Sequence, residues 1–491
     1  MSDATTSKAM ASHSSPAWET PSQGLCISRI HSNPTARWCV MGSPLRQEIH
    51  VVPPSSPPPP ETELVYKRYE QPRSTHDWCL YSFQWLVTMV YAVVWGYAIV
   101  GVGLNFQGAR MTTYISSVVL TIGLSTLLQA WVGHRMAMVH GPNVIPSLAI
   151  VAAFVAGGEA YALQSFAAQA IAGVIIVALV YLGAVRYIRK VWTPLILGSM
   201  IIMIGLTVAQ VGLGDMTQAG FGLGFFIALA LALGGTVLAI RGKGVWATLP
   251  PVFVIVLGYI IFLALGRVDL TLVRQAPALS IPSLFPYGRE MPTWDLVLIM
   301  LIVNLMAGMN FYGNLHGYAG VIKEKVIESE ERRSFLLFGL VETILPGVLG
   351  TPTTVAYGEN LGIVQLTRVA ARAFVIVAAA IFIALAFIGP FGALMAAMPK
   401  EVAGAVLLGI ASTVIGIGAG ILNTAPAFGG REQTLVGFSI FLSLGLHLLP
   451  QETWHQTPKL IETIFSNPVI SVIIFVLIFE KLIFPLSADK K

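Results

Sequence analysis

The chain has 491 residues, of which 55% are hydrophobic and only 11% charged, and its mean hydropathy is +0.75. A soluble domain carries roughly 25% charged residues, so the composition excludes that class and indicates a polytopic membrane protein. The net charge is only +5, and the three cysteines, Cys26, Cys39 and Cys79, lie in or just after the N-terminal stretch, which excludes a disulfide framework or a metal spacing.

Residues 1–78 differ in kind from the rest. They hold "VVPPSSPPPP" (Val51–Pro60) and scattered Ser and Thr, with no apolar run long enough for a signal peptide. They read as a disordered cytosolic tail. The Pro run has the composition of a ligand for an SH3-like domain, and Met41 is an alternative start.

From Trp78 onward, apolar segments follow one another. The pattern predicts helices near 79–104, 111–133, 144–157, 163–185, 191–213, 220–240 and 246–266. A polar loop, 267–293, separates these from segments near 294–321, 334–350, 359–371, 373–389, 402–423, 433–449 and 466–486. The chain divides into a first half over 79–266, a second over 294–486 and a short C-terminal tail, 487–491.

Two segments are too short to span alone. One follows "HGPNV" (His140–Val144), the other "GTPTTVAYGEN" (Gly350–Asn360). Each is third in its half, and matching broken segments point to a transporter built from inverted repeats. An odd number of segments per half turns the second copy upside down. With the tail inside, the inner loops hold Arg135, Arg186, Arg189, Lys190, Arg241, Lys243, Lys323, Lys325, Arg332, Arg333, Arg368, Arg372 and Arg431. The outer loops hold Arg110, Arg267, Arg274, Arg289, Lys400 and Lys459, a bias of about two to one that fits the positive-inside rule. The charged run Ile322–Arg333 reads as a solvated cytosolic linker, and Trp78, Trp85 and Trp294 as interfacial belt residues. The small-residue runs Leu229–Gly235, Gly404–Ala411 and Gly416–Gly420 read as helix-packing faces.

Backbone without helical hydrogen bonds is tolerated at membrane depth only where it packs in protein or lines a cavity. The two broken segments are therefore expected to meet and line a site. Glu359 stands where a helix begins, beside free N–H groups and a positive dipole end. An ionised carboxylate accepts only, so it suits a ligand that presents N–H donors. A cyclic imide such as uracil alternates N–H and C=O in that way. The bland alternative is that Glu359 merely caps the helix.

"ENLGIVQLTR" (Glu359–Arg368) resembles the signature of the nucleobase–ascorbate transporter family, which includes the uracil and xanthine permeases. Asn360, Gly362, Thr367 and Arg368 fit that pattern, and "YGE" (Tyr357–Glu359) is similar to the uracil branch. The resemblance is strong from about Gly308 to Gly404, weaker from Gln84 to the C-terminus, and absent from the tail. It implies an all-α fold of fourteen segments in two inverted repeats, with short strands at the third and tenth. A core domain would hold segments 1–4 and 8–11 and a gate domain segments 5–7 and 12–14.

The resemblance further implies proton-coupled nucleobase symport by an elevator-like movement, as a homodimer in the plasma membrane with both termini cytoplasmic. Carried over, Glu359 would bind the base edge, the Gly358 backbone a carbonyl, and Tyr357 would flank the site. Asn143 and Val144 would face the substrate, with Val144 where many members have an aromatic. Gln84 would brace the core.

The eighth segment departs from the family, which shows Glu, two residues, Gly, then Asp or His. Here, aligned on Gly313, those ionisable positions are Asn310 and Asn314, i and i+4 on one helix face. Proton uptake would then fall to Glu359, to Glu342 in the ninth segment, or to His316. The alternative for Glu342 is a place near the membrane edge, and for His316 a packed or backbone-bonded ring. A uniporter, a transporter of another heterocycle or an anion, and a non-transporting sensor or scaffold are the other readings; Glu359 argues against anions. No Ser-His-Asp grouping, metal spacing or nucleotide loop suggests an enzyme, a cofactor or a nucleic-acid partner.

Overall fold

The computed structural model describes residues 63–183, 193–243, 246, 248–425, 428–454 and 457–484. The Pro-rich run, Met41, Arg186, Arg189, Lys190 and residues 487–491 lie outside them.

Polar side chains at the ends set where several helices start. Helix α1 (Thr75–Trp95) begins where Ser74 Oγ accepts the Asp77 N–H at 3.1 Å, and it runs on as a π-helical turn, Gly96–Gly101. Helix α2 (Gly108–Trp131) leads to strand β1 (His140–Pro142). Helix α3 (Val144–Tyr181) is capped by Asn143 and kinks at Gly158, whose φ of 77° and ψ of −174° suit glycine. Its two arms correspond to the separate segments expected there. Next come α4 (Pro194–Thr217), α5 (Leu223–Arg241), α6 (Pro250–Ala264) and the short α7 (Thr271–Gln275).

The second half opens with α8 (Trp294–Val321) and α9 (Glu328–Leu337); α9 continues through a π-helical stretch, Phe338–Ile344, and a last turn, Leu345–Val348. Strand β2 (Thr354–Ala356) follows, then α10 (Glu359–Thr367), α11 (Arg372–Ala386), α12 (Gly389–Ala396), α13 (Lys400–Leu422) and α14 (Gly430–His447). The chain ends with α15 (Lys459–Ser466) and α16 (Pro468–Leu477).

Among the described residues, seven helices are long and apolar enough to cross a membrane: α1 with its π-helical turn, α2, α3, α4, α5, α8 and α13. The rest of the apolar sequence is divided more finely than its hydropathy suggests. The run expected at 466–486 is α16 with a π-helical end, Ile478–Ile483, and the unexpected α15 precedes it at 87°, because Pro468 cannot continue a helix and Asn467 caps a new one. Pro390, near the start of α12, marks a similar break after 373–389.

The tightest seam joins α4 to α13. A Cβ at Gly205 would lie 2.5 Å from Ile415 Cγ1, and one at Gly212 would lie 2.8 Å from the Gly404 carbonyl, so only glycine allows this approach. Within the run Gly416–Gly420, Gly418 packs in this way, whereas Gly416 and Gly420 have open space beside them.

Three expectations need correction. Residues 63–74 are not free tail: Tyr66 pairs with Val369, the Val65 N–H donates to the Arg368 carbonyl at 2.8 Å, and the Ala370 N–H to the Tyr66 carbonyl at 2.9 Å. The charged run is not a solvated linker, because Glu330 and Glu331 are buried where α9 begins. Arg68, buried in that strap, reaches Glu330 at 2.6 Å and Glu324 at 3.1 Å, and these contacts draw the acids inward. Trp85 is 1% exposed and belongs to the core, since α1 is surrounded by protein; Trp294, 83% exposed, keeps an outward position.

Candidate substrate site

The two broken segments meet. β1 and β2 form an antiparallel ribbon with His140 opposite Ala356, Gly141 opposite Val355 and Pro142 opposite Thr354. Beyond the ribbon, the Asn143 N–H donates to the Thr353 carbonyl at 2.8 Å and the Tyr357 N–H to the Val139 carbonyl at 3.2 Å. Side chains satisfy the remaining backbone. Thr126 Oγ1 accepts the His140 N–H at 2.9 Å, and Gln169 accepts from Thr353 N at 3.1 Å while donating to the Thr351 carbonyl at 3.1 Å.

Asn360 ties the ribbon to α10. Its Oδ1 accepts the Val139 N–H at 3.1 Å, and its Nδ2 donates to the carbonyls of Val139 at 3.0 Å and Tyr357 at 2.7 Å. An amide is needed because the side chain must both donate and accept. Asn360 is therefore a splint beside the site and does not line it.

At this crossing lies a partly open cavity of about 50 Å³. All seven residues expected at a substrate site line it: Asn143, Val144, Asn310, Asn314, Tyr357, Gly358 and Glu359. Asn314 Nδ2 donates to Asn310 Oδ1 at 3.0 Å and to the Ala356 carbonyl at 2.7 Å, so the two amides act as a unit against β2. A Cβ on Gly358 would come within 3.2 Å of Asn314 Oδ1. Glu359 begins α10, half-buried at the cavity, and no basic side chain pairs with it among the described residues.

Other expected residues stand elsewhere. Gln84 donates to Thr248 Oγ1 at 3.1 Å, so it ties α1 to the approach to α6. His316 is packed and not backbone-bonded: its ring sits against Tyr312, with centroids 4.2 Å apart, and its Nε2 lies 3.3 Å from Glu331 Oε1. Glu342 is fully buried against His140 and Gln129. In the rest of the motif, Thr367 caps its own turn by donating to the Ile363 carbonyl, and Arg368 turns left-handed (φ 59°), offering its carbonyl to the strap. Gly362 has open space beside it.

Sequence reasoning missed Trp95 and the far wall. Trp95 lines the cavity beside Tyr357, with ring centroids 5.7 Å apart, and its buried Nε1 has no protein partner. The Nδ2 of Asn143 is also buried without a partner, since Asn143 Oδ1 is taken by the Ile145 N–H. Trp95 is 11 residues after Gln84, about three helical turns, and that spacing was the available signal. Ile201 and Ile204 of α4 and Val414 and Ile417 of α13 close the opposite side. Nothing local marks them among many apolar residues.

The cavity thus places the Glu359 carboxylate with the side chains of Trp95, Asn143, Asn310 and Asn314 between apolar walls. The xanthine/uracil permease model, described as "Permease family", matches residues 76–452. The uracil permease of Bacillus caldolyticus is 27% identical over 378 residues, covering 75% of this chain and 85% of the relative. The xanthine permease XanQ of Escherichia coli K12 is 25% identical and covers 83% and 91%. Among solved structures, the transmembrane domain of a cyanobacterium bicarbonate transporter, BicA, shares the fold with a TM-score of 0.56 at 14% identity, over 80% of this chain and 96% of that one. With the ribbon and the motif in place, the chain is a multi-pass membrane permease and not an enzyme, and it belongs to the nucleobase–ascorbate transporter family.

Proposed function

We propose that this permease is a secondary active transporter that imports a nucleobase, a uracil-like pyrimidine before a purine such as xanthine, by proton symport. The observation that carries this reading is Glu359, a carboxylate with no basic partner among the described residues, at a cavity also lined by the amides of Asn143, Asn310 and Asn314. A base edge with alternating N–H and C=O groups suits a carboxylate acceptor beside amides, whereas an anion would meet the Glu359 carboxylate. The names of the uracil and xanthine permease relatives support the same substrate class.

The architecture we propose is fourteen segments in two inverted seven-segment repeats. Segments 1–4 and 8–11 form a core that carries the site, and segments 5–7 and 12–14 form a gate. In support, the polar side of the cavity comes from α1, β1, α8, β2 and α10, and the apolar side from α4 and α13. A cavity at such a seam is opened by sliding one body past the other, an elevator movement. We place the protein in the plasma membrane as a homodimer with cytoplasmic termini.

A uniporter is the second reading. Asn310 and Asn314 hydrogen-bond each other and offer no titratable group on α8 at the cavity. Uptake of radiolabelled uracil, xanthine and adenine into cells lacking their own nucleobase permeases, with and without a protonophore, separates the two. Uracil uptake that collapses with the protonophore is expected. Uptake that persists supports the uniporter, and no uptake of any base overturns the substrate class.

A further inference from the structure

We infer that His134, His140 and Glu342 form a proton-binding site in the protein interior, one strand residue away from the substrate cavity. The coupling role given to it rests on the transport reading above; the proton site itself does not.

All three side chains are fully buried. His134 Nε2 lies 2.9 Å from His140 Nε2, and His140 Nδ1 lies 3.0 Å from Glu342 Oε2. The other carboxylate oxygen accepts from Gln129 Nε2, which also donates to the Ser334 carbonyl at 3.0 Å. The Met136 N–H donates to His134 Nδ1 at 2.9 Å.

That last bond assigns the protons along the chain. His134 Nδ1 is an acceptor, so neutral His134 carries its hydrogen on Nε2 and donates it to His140 Nε2. His140 therefore carries its hydrogen on Nδ1 and donates it to Glu342, which is then a carboxylate. In this arrangement every contact is satisfied and the cluster bears one negative charge.

One added proton neutralises that charge and breaks one bond. On His140 Nε2 it faces the His134 hydrogen. On Glu342 Oε2 it drives the His140 hydrogen over to Nε2, with the same clash. On Glu342 Oε1 it faces the Gln129 amide, which must turn over to offer its Oε1, an atom that is buried and has no partner. Protonation and a change of packing are thus one event.

The charge has no counter-ion in contact. From the strap, Arg68 donates to the carbonyls of His134 and Arg135. Arg68, Arg135 and, at 4.0 Å, Arg333 face Glu330 of α9, and Arg68 also faces Glu324 between α8 and α9, so these cations are engaged by other acids. Tyr318 of α8, beside Ala137, is the remaining ionisable group on that side. α2 and β2 contribute only Gln129, Thr126, Ser125 and Thr354. A lone buried carboxylate is costly and is relieved by taking up a proton. The 2.9 Å ring contact leaves no room for a metal ion between the two nitrogens, whose bonds to zinc would be about 2.0–2.1 Å each.

The path to the cavity is short. His140 pairs with Ala356 on the ribbon, and the Ala356 carbonyl holds Asn314, a cavity residue. The loop carrying His134 ends at Val139, which Asn360 grips on both backbone groups.

The test is an infrared pH titration of the purified full-length protein, following the protonated-carboxyl stretch in wild type, Glu342→Gln and His140→Asn. We expect a carboxyl band in wild type that grows as pH falls, is missing in Glu342→Gln, and has its midpoint moved by at least about one pH unit in His140→Asn, a tenfold change in proton affinity. No difference between wild type and Glu342→Gln at any pH overturns the inference. Should Glu342→Gln fail to fold, His140→Asn carries the test, and an unchanged midpoint there overturns it. A titrating band in a protein that takes up no nucleobase sinks the transport reading and leaves the proton site standing.

Discussion

Glu359 faces the cavity with no cation beside it, so its ligand must supply the donors. A hydrogen bond to a charged group contributes about 1.5–3 kcal/mol, so Glu359→Gln is expected to weaken uracil binding roughly tenfold to a hundredfold. Calorimetric titration of the purified protein checks this, and unchanged affinity removes Glu359 from the site. Trp95 allows a finer cut. Trp95→Phe keeps an aromatic ring but deletes Nε1–H and part of the indole surface, so a loss of at least about 0.5–1.5 kcal/mol, roughly threefold to tenfold in affinity, is expected. No loss would mean that the indole N–H is satisfied by water in both states. With Val144 at the place of an expected aromatic, Trp95 of α1 and Tyr357 are the aromatic rings at the cavity.

At the scale of elements, two short strands and a half-helix hold the site, and each depends on partners from distant segments. The strap of residues 63–74 is one of them. Arg68 gathers the carbonyls of His134 and Arg135 with Glu330 and Glu324, and itself is 2% exposed. Arg68→Ala leaves a buried acid and two carbonyls without their donor, a loss of about 3–5 kcal/mol by the usual cost of breaking a buried pair. The expected outcome is a clear fall in the melting temperature of the purified protein relative to wild type, and an unchanged melting temperature would show the strap to be dispensable. The broken segments themselves were legible in the sequence, because Pro and Gly interrupt apolar runs at matching places. The strap was not: nothing about "YKRYE" (Tyr66–Glu70) distinguishes a docked strand from the solvated tail before it.

At the scale of the whole molecule, the cavity lies where a polar, ribbon-bearing side meets the apolar faces of α4 and α13. Those two helices are held close by glycines. Ile417→Trp on α13 is expected to fill the cavity from the far wall. Uracil uptake should fall to background while the amount of folded protein, read by size-exclusion chromatography, stays near wild type. Uptake at the wild-type rate would place the substrate path elsewhere.

By itself the sequence determined that this is a polytopic membrane protein and where its two broken segments lie, and its family resemblance pointed to seven of the residues that line the cavity. Hydropathy and helix-breaking residues are local properties, and the motif from Glu359 to Arg368 carries its chemistry in ten consecutive positions. Tertiary structure alone decided which faces meet. It brought Glu342 to His140 across 202 positions, Gln84 to Thr248 across 164, and the charged run to Arg68. The physical reason is that a buried charge finds its partners through packing. A periodic apolar pattern tells a helix to be buried but not which side chain will be waiting opposite it.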